Sequence, residues 1–283
     1  MPAERTHAER LRSRDGYFPP DSMIRRLGNT PLTPMLGGGT AVLLQVAHPL
    51  VAVGVAQHSD YHRDLWQRLG RTLRALYLIA FGTQAEADRA GAAVQAVHAY
   101  VHGCTEEPLG PFPCGTPYSA ADPELMLWVH ATLVYSSLSI YQRFERPLDV
   151  HEQERYYREM ALVAKLFGTP PAVIPPSIGE FWDYFEAQLD GPAITVTPLA
   201  AEIAAVILDA PLPRALRVFA PAHRLATAAQ LPPRLRGEYG LRWSPLHELA
   251  LPAAVRAVKI ATKPVLRAAA WIAPPPKVLV AGA

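Results

Sequence analysis

The chain has 283 residues, 50% of them hydrophobic, and its 27 Lys and Arg against 25 Asp and Glu give a formal net charge of +2. This length and composition suffice to bury a sizeable core, and they exclude a disordered tail. The near-neutral charge supplies no overall attraction to nucleic acid or to an anionic membrane, so partners have to be inferred from local patterns.

The N-terminus and the cysteines indicate the cellular compartment. The first 24 residues are predicted to form an extension, and their opening, MPAERTHAERLRSRDGYFPP, lacks the apolar core of a secretory signal peptide. We therefore predict a cytoplasmic protein. Cys104 and Cys114 lie in a segment rich in Pro and Gly, without the spacing of a zinc site, and are predicted to be thiols, with a disulfide as the alternative.

Helix signals recur along the chain, whereas no convincing strand pattern occurs between Gly37 and Asp209. These signals predict an all-α fold, with one helical domain at residues 25–245 and an amphipathic helix and tail at 246–283. The clearest signals are N-terminal caps, in which a capping residue precedes a Glu by three positions or is followed directly by Pro. The capping residues are Thr83, Asp122, Asp149, Ser177 and Thr197.

For the helices that follow two of these caps, the sequence also predicts where the helix ends. The helix after Thr83 is expected to continue to His102, and the helix after Asp122 to about Phe144. The segment between them, 103–121, is rich in Pro and Gly and is predicted to be a loop.

The longest apolar segment, Ala41–Gln57, approaches the length of a membrane span, but Gln45, His48 and Pro49 lie at its centre. We therefore predict a buried helix that is kinked at Pro49. The His48 side chain is predicted either to point into a cavity or to bond the carbonyl group of Gln45, which Pro49 leaves without a helical partner.

Two histidine pairs have the i, i+4 spacing of a metal-chelating helix face. They are His58 with His62 and His98 with His102. A di-iron bundle would need Glu-x-x-His motifs, and the predicted helices contain none. His98 and His102 are more typical of capping or surface residues.

A single histidine, His130, interrupts the apolar run ELMLWVHATLV in the helix that follows Asp122. This helix is apolar almost all round and is therefore predicted to lie at the centre of the fold. An imidazole there needs a hydrogen-bond partner or a metal ion, because burying it unmatched costs free energy.

Arg68, Arg71 and Thr72 are predicted to lie on one side of a helix that becomes strongly apolar towards Phe81. The two guanidinium groups require anions, which are either carboxylates of the domain or the propionates of a porphyrin or a bound oxidant. Together with His48 and His130, this set is able to line a haem, and the alternative is a core histidine with a protein partner.

Near the C-terminus, Arg256, Lys259, Lys263 and Arg267 recur at steps of three or four residues beside apolar positions, and Pro264 interrupts the pattern. This amphipathic pattern is typical of a solvated helix face packed on the domain. Peripheral membrane contact uses similar patterning and is the alternative.

Four blocks resemble the MpaB/latex-clearing-protein oxygenase family and occur in the same order. They are VLLQVAHPLVAVGVAQHS, RLGRTLRALYLIAFG, DPELMLWVHATLV and YGLRW, and the likeness extends from about Arg25 to Trp243. It implies an all-helical, globin-reminiscent core around a b-type haem. Rubber-cleaving members split isoprenoid carbon–carbon double bonds with dioxygen, and fungal relatives cleave a farnesyl chain.

The resemblance also implies roles for individual residues. His130 matches the proximal iron ligand, and Arg68, Arg71 and Thr72 match a distal Arg-x-x-Lys-Thr pattern. Trp128, close to His130 in the sequence, is also predicted to contact the cofactor. Arg71 replaces the family's lysine. A guanidinium group stays protonated and cannot ligate iron, but it is able to stabilise negative charge on dioxygen.

The stretch Val51–Asp60, where the rubber oxygenases have a glutamate base, contains no glutamate, and His48 or His58 is the predicted replacement. The resulting prediction is a haem b oxygenase that uses dioxygen on a hydrophobic, alkene-bearing substrate of isoprenoid or lipid-like character. The alternatives are a haem-binding sensor or carrier without turnover, and a non-haem di-iron enzyme.

Overall fold

A computed structural model of the chain describes residues 15–30, 32–59, 65–209 and 220–272, without the side chains of 32–35, 65–69, 258–259 and 261–272. It confirms the predicted all-α fold. The helices are α1 (Met23–Gly28), α2 (Leu32–Val46), α3 (Pro49–His58), α4 (Leu65–Phe81), α5 (Gln84–Tyr100), α6 (Pro123–Phe144), α7 (Val150–Leu166), α8 (Ile178–Asp190), α9 (Pro198–Leu208), α10 (Ala220–Gln230), α11 (Pro233–Glu238) and α12 (Pro245–Ile272).

The predicted N-terminal caps are confirmed, because each capping side chain accepts a hydrogen bond from a backbone N–H group of the first turn. Full capping boxes begin α5 and α7, and single caps begin α6, α8 and α9. Helix α6 ends at Phe144, as expected. Local hydrogen bonds between residues three apart therefore determine where these helices begin.

Helix α5 ends at Tyr100, two residues before the predicted end, because the chain passes into a short antiparallel ribbon. Strand β1 (His102–Cys104) pairs with β2 (Pro117–Ser119), and His102 lies opposite Ser119. The predicted loop at 103–121 thus contains a strand pair. The prediction that His98 and His102 share a helix face is wrong, since only His98 is helical. Cys104 and Cys114 are free, exposed thiols.

The apolar segment Ala41–Gln57 contains a break rather than the predicted kink. Helix α2 ends at Val46, α3 begins at Pro49, and the helices meet at 105°. The backbone N–H group of His48 donates to the Gln45 carbonyl oxygen (3.2 Å), so this carbonyl is not free for the His48 side chain. The His48 ring instead caps α3, where its Nδ1 atom accepts from the N–H group of Leu50 at 3.3 Å.

Among the described helices, none by itself has both the length and the apolar composition of a membrane span. The segments 36–46 and 49–58 meet these criteria only as a pair, and they are bent at the break that His48 occupies.

The core surrounds α6, against which α2 packs along its length and α7 packs from another side. Trp128 of α6 stacks on Phe185 of α8, with ring centroids 5.6 Å apart. This burial confirms the central position predicted for the helix. Helices α4 and α5 pack on each other, and α10 lies between α2 and α12.

Helix α12 extends through Pro264 to Ile272, so the helix itself is not interrupted there. Its residues Leu251 and Val255 are buried in a small cluster with Ala226 and Ala229 of α10. These contacts attach the helix to the domain.

Candidate functional site around His130

His130 lies in the middle of α6, with 4% of its surface exposed. Both of its ring nitrogens are buried and have no hydrogen-bond partner. Ser22, Thr227 and Gln230 also have a buried atom without a partner, but among the described residues only His130 has two. The protein therefore leaves the entire hydrogen-bonding capacity of this side chain unused.

The other polar side chains of α6 near His130 have partners. The indole N–H group of Trp128 donates to the Leu44 carbonyl oxygen at 3.2 Å. The Thr132 hydroxyl donates to the Val129 carbonyl oxygen at 2.7 Å and accepts from the Gln45 side-chain amide at 3.1 Å. An unmatched buried polar group costs about 1–3 kcal/mol, and no described residue offsets that cost for His130.

Burial also determines the protonation state of His130. Desolvation lowers its pKa from 6.5 to about 4, because the interior disfavours the charged ring. The imidazole is therefore neutral at neutral pH and keeps a lone pair on one nitrogen. A neutral imidazole is one of the side chains that bind haem iron in proteins, so this donor fits the group that the resemblance implies.

Trp128 lies on the opposite side of α6 from His130. Their positions differ by two residues, which corresponds to about 200° around a helix. Trp128 contacts Leu44 of α2 and Phe185 of α8, and only 1% of its surface is exposed. Its role as a cofactor contact stays a prediction, and its described contacts are those of a core residue.

The distal candidates Arg68, Arg71 and Thr72 all lie on α4, with the helical spacing that the sequence predicts. Arg71 and Thr72 are exposed, and the side chain of Arg68 lies outside the described part. The main packing partners of α4 are α5 and α1. The proximal and distal candidates are thus on separate helices that do not pack closely over the described residues.

One turn beyond the arginines, α4 presents a partly buried apolar surface. Leu76, Tyr77 and Leu78 pack against the main core but remain partly exposed, and Ile79 is fully buried. This surface has the apolar character that a hydrophobic substrate would need.

The two candidate replacements for the family's glutamate lie at opposite ends of α3. His48 stacks on Phe112 with ring centroids 5.4 Å apart, and burial lowers its pKa to about 4. Since its Nδ1 atom accepts the Leu50 N–H group, the neutral ring has its proton on Nε2. His48 is thus a buried residue whose ring already accepts a hydrogen bond from the backbone of Leu50.

His58 lies beside the ribbon. Its Nε2 atom is 3.1 Å from both the His102 carbonyl oxygen and the Tyr118 hydroxyl oxygen. The Tyr118 hydroxyl in turn donates to the side-chain oxygen of Gln57. His58 therefore belongs to a hydrogen-bonded group that is able to pass a proton.

Neither histidine pair with the i, i+4 spacing is seen on one helix face within the described chain. His102 is in β1, and His62 lies outside the described residues. No group of three or more His, Cys, Asp or Glu side chains within the described ranges is placed to hold a metal ion. His98, which was expected at the surface, has a buried Nδ1 atom without a partner, and burial lowers its pKa.

The fold and the site define an all-α protein whose central helix holds a neutral, unpartnered imidazole. The family described as "ER-bound oxygenase mpaB/B'/Rubber oxygenase, catalytic domain" matches residues 25–260, and the chain belongs to this family, as the sequence blocks predicted.

The chain is also similar to uncharacterized proteins of Mycobacterium bovis and Mycobacterium tuberculosis. Each is 27% identical over 215 residues, which cover 74% of this chain and 81% of the relative. No solved structure is significantly similar to the chain.

Proposed function

We propose that this protein is a haem b-dependent oxygenase that acts on an apolar, alkene-bearing substrate of isoprenoid or lipid-like character. Membership of the oxygenase family supports the reaction class. The observation that supports the cofactor is the pair of unpartnered ring nitrogens on buried His130. When bound, the haem supplies the activation of dioxygen.

In this proposal His130 is the proximal iron ligand, and α6 provides its orientation. Two hydrogen bonds on the side away from His130 fix the orientation of the helix about its own axis. They run from Trp128 to Leu44 and from Gln45 to Thr132. A ligand on a helix fixed in this way loses little freedom when it binds iron, which favours tight cofactor retention.

The residues of α4 have two proposed roles. Arg68 and Arg71, with the hydroxyl group of Thr72, would supply the positive charge and the hydrogen-bond donor that stabilise an anionic reaction partner of the haem. The apolar residues that follow, such as Leu76 and Leu78, contact and orient the hydrophobic substrate. A proton is held or moved by His58, through its hydrogen bonds with Tyr118, or by His48.

The absorption spectrum of the purified protein tests this function first. We expect a Soret band and one haem per chain, followed by cleaved or oxygenated products when candidate isoprenoids or unsaturated lipids are incubated with reductant and dioxygen. Iron without a Soret band would instead favour a non-haem enzyme. A Soret band without any product, across the substrate panel, would favour a haem sensor or carrier.

A substitution at Arg71 tests the distal assignment. Arg71→Ala is expected to retain haem but to lower turnover by roughly tenfold or more, because the proposal assigns to the exposed Arg71 guanidinium group the stabilisation of negative charge during the reaction. The matched control is Arg89→Ala, which removes an exposed arginine from neighbouring α5. Equal turnover in the two variants would show that Arg71 has no distal role, while leaving His130 as ligand unaffected.

A further inference from the structure

Helix α12 has two apolar faces, and the domain covers one of them. Leu251 and Val255 are 1% and 3% exposed and pack against α10. On the other face, Leu246, Leu249 and Ile260 are 76%, 76% and 61% exposed. Exposing three large aliphatic side chains on one helix is unfavourable in water unless another surface covers them.

The exposed residues form one continuous stripe. At about 3.6 residues per turn, positions 246, 249, 253, 257 and 260 lie on the same side of a helix. Ala253 and Ala257, which occupy the middle of this stripe, are exposed as well. Leu251 and Val255 lie on roughly the opposite side, so the stripe faces away from the domain.

The helical spacing places a row of basic positions beside this stripe. Arg256 is exposed, and Lys259, Lys263 and Arg267 follow it along the helix at steps of three or four residues. The only acidic residue of α12 is Glu248, near its start, and it is paired with Arg143 of α6. The positive charge of the row is therefore not compensated within the helix.

The charge distribution along the whole chain is equally uneven. After Glu248 the sequence has five Lys and Arg and no Asp or Glu, although the complete chain has 27 basic and 25 acidic residues. The preceding residues consequently have more acidic than basic groups. Four of these five residues, Arg256, Lys259, Lys263 and Arg267, occupy positions of α12 next to the exposed apolar stripe.

We propose that this stripe of α12, defined by Leu246, Leu249 and Ile260, binds the surface of an anionic lipid bilayer. An apolar stripe flanked by Lys and Arg is suited to lie in the plane of a membrane, with the apolar side chains at the acyl boundary and the cations among acidic headgroups. Pairing with a second copy would instead bring two like-charged rows together, which is unfavourable. The proposal does not depend on haem or on oxygenase activity.

Cosedimentation of the full-length protein with vesicles tests the proposal. We expect binding to vesicles of phosphatidylcholine with phosphatidylglycerol, little binding to phosphatidylcholine alone, and release as salt is raised. The double variant Leu246→Glu with Leu249→Glu should weaken binding by about tenfold or more, since it removes apolar contact and adds negative charge. Both residues are exposed, so the fold should be retained, and circular dichroism verifies this.

Val150→Glu is the matched control, because Val150 is an exposed aliphatic residue on α7, 64% exposed, and lies outside the stripe. It should bind as the unaltered protein does. Equal loss in the control and in the double variant would overturn the proposal, and so would absence of binding to the acidic vesicles. If the unaltered protein forms a dimer in solution, the double substitution makes it monomeric and no vesicle binding is seen, the stripe is instead an interface with a second copy.

Discussion

His130→Leu is expected to yield a folded protein that retains no haem. Leucine approximates the volume of the imidazole, and its side chain needs no hydrogen bond. Because both ring nitrogens of His130 are without a partner, the substitution breaks no bond to the protein. The free energy of unfolding of the cofactor-free protein should therefore be unchanged or higher, by up to about 1–3 kcal/mol.

Haem content, circular dichroism and chemical denaturation measure this outcome. His130→Ala should also lose haem while keeping most of its helical content, and added imidazole should restore part of the Soret absorbance by occupying the space of the deleted ring. A histidine with an ordinary structural role would behave in the reverse way, since its loss would lower stability without spectral change. Normal haem stoichiometry in either variant would refute His130 as the iron ligand.

Trp128→Ala is expected to lower the free energy of unfolding by about 3–5 kcal/mol, the range for truncating a large buried aromatic side chain. The indole ring is almost fully buried, stacks on Phe185 and donates a hydrogen bond to Leu44. Trp128→Phe keeps an aromatic ring but leaves the Leu44 carbonyl group without its partner, so we expect a smaller loss of about 1–3 kcal/mol.

The same variants separate core packing from cofactor contact. Since Trp128 lies on the opposite side of α6 from His130, the folded fraction of Trp128→Phe should bind haem with normal stoichiometry and a normal spectrum. A changed Soret band with unchanged stability would show instead that Trp128 contacts the cofactor, as predicted from the sequence. Denaturation curves and spectra of the two variants decide between these roles.

The sequence by itself determined the starts of α5 to α9, the length and central position of α6, and the family. Caps such as Thr83 with Glu86 are bonds between residues three apart, so their geometry is contained in the local sequence. The apolar surroundings of His130 on α6 are equally local, because helical periodicity alone shows that the helix has no wide polar face. For the same reason the spacing of Arg68 and Arg71 was predictable, whereas the exposure of Arg71 was not.

Only the tertiary structure decided the features that depend on distant partners. Helix α5 ends at Tyr100 because His102 pairs with Ser119, a strand contact too short to leave a periodic pattern. The chain breaks at His48 rather than bending there, and the two helices that result pack in different directions. That His130 has no partner follows from the positions of the neighbouring helices, and the exposure of the α12 stripe follows from which face of α12 packs on α10. Burial and hydrogen-bond satisfaction are properties of the assembled core, so no pattern along the chain contains them.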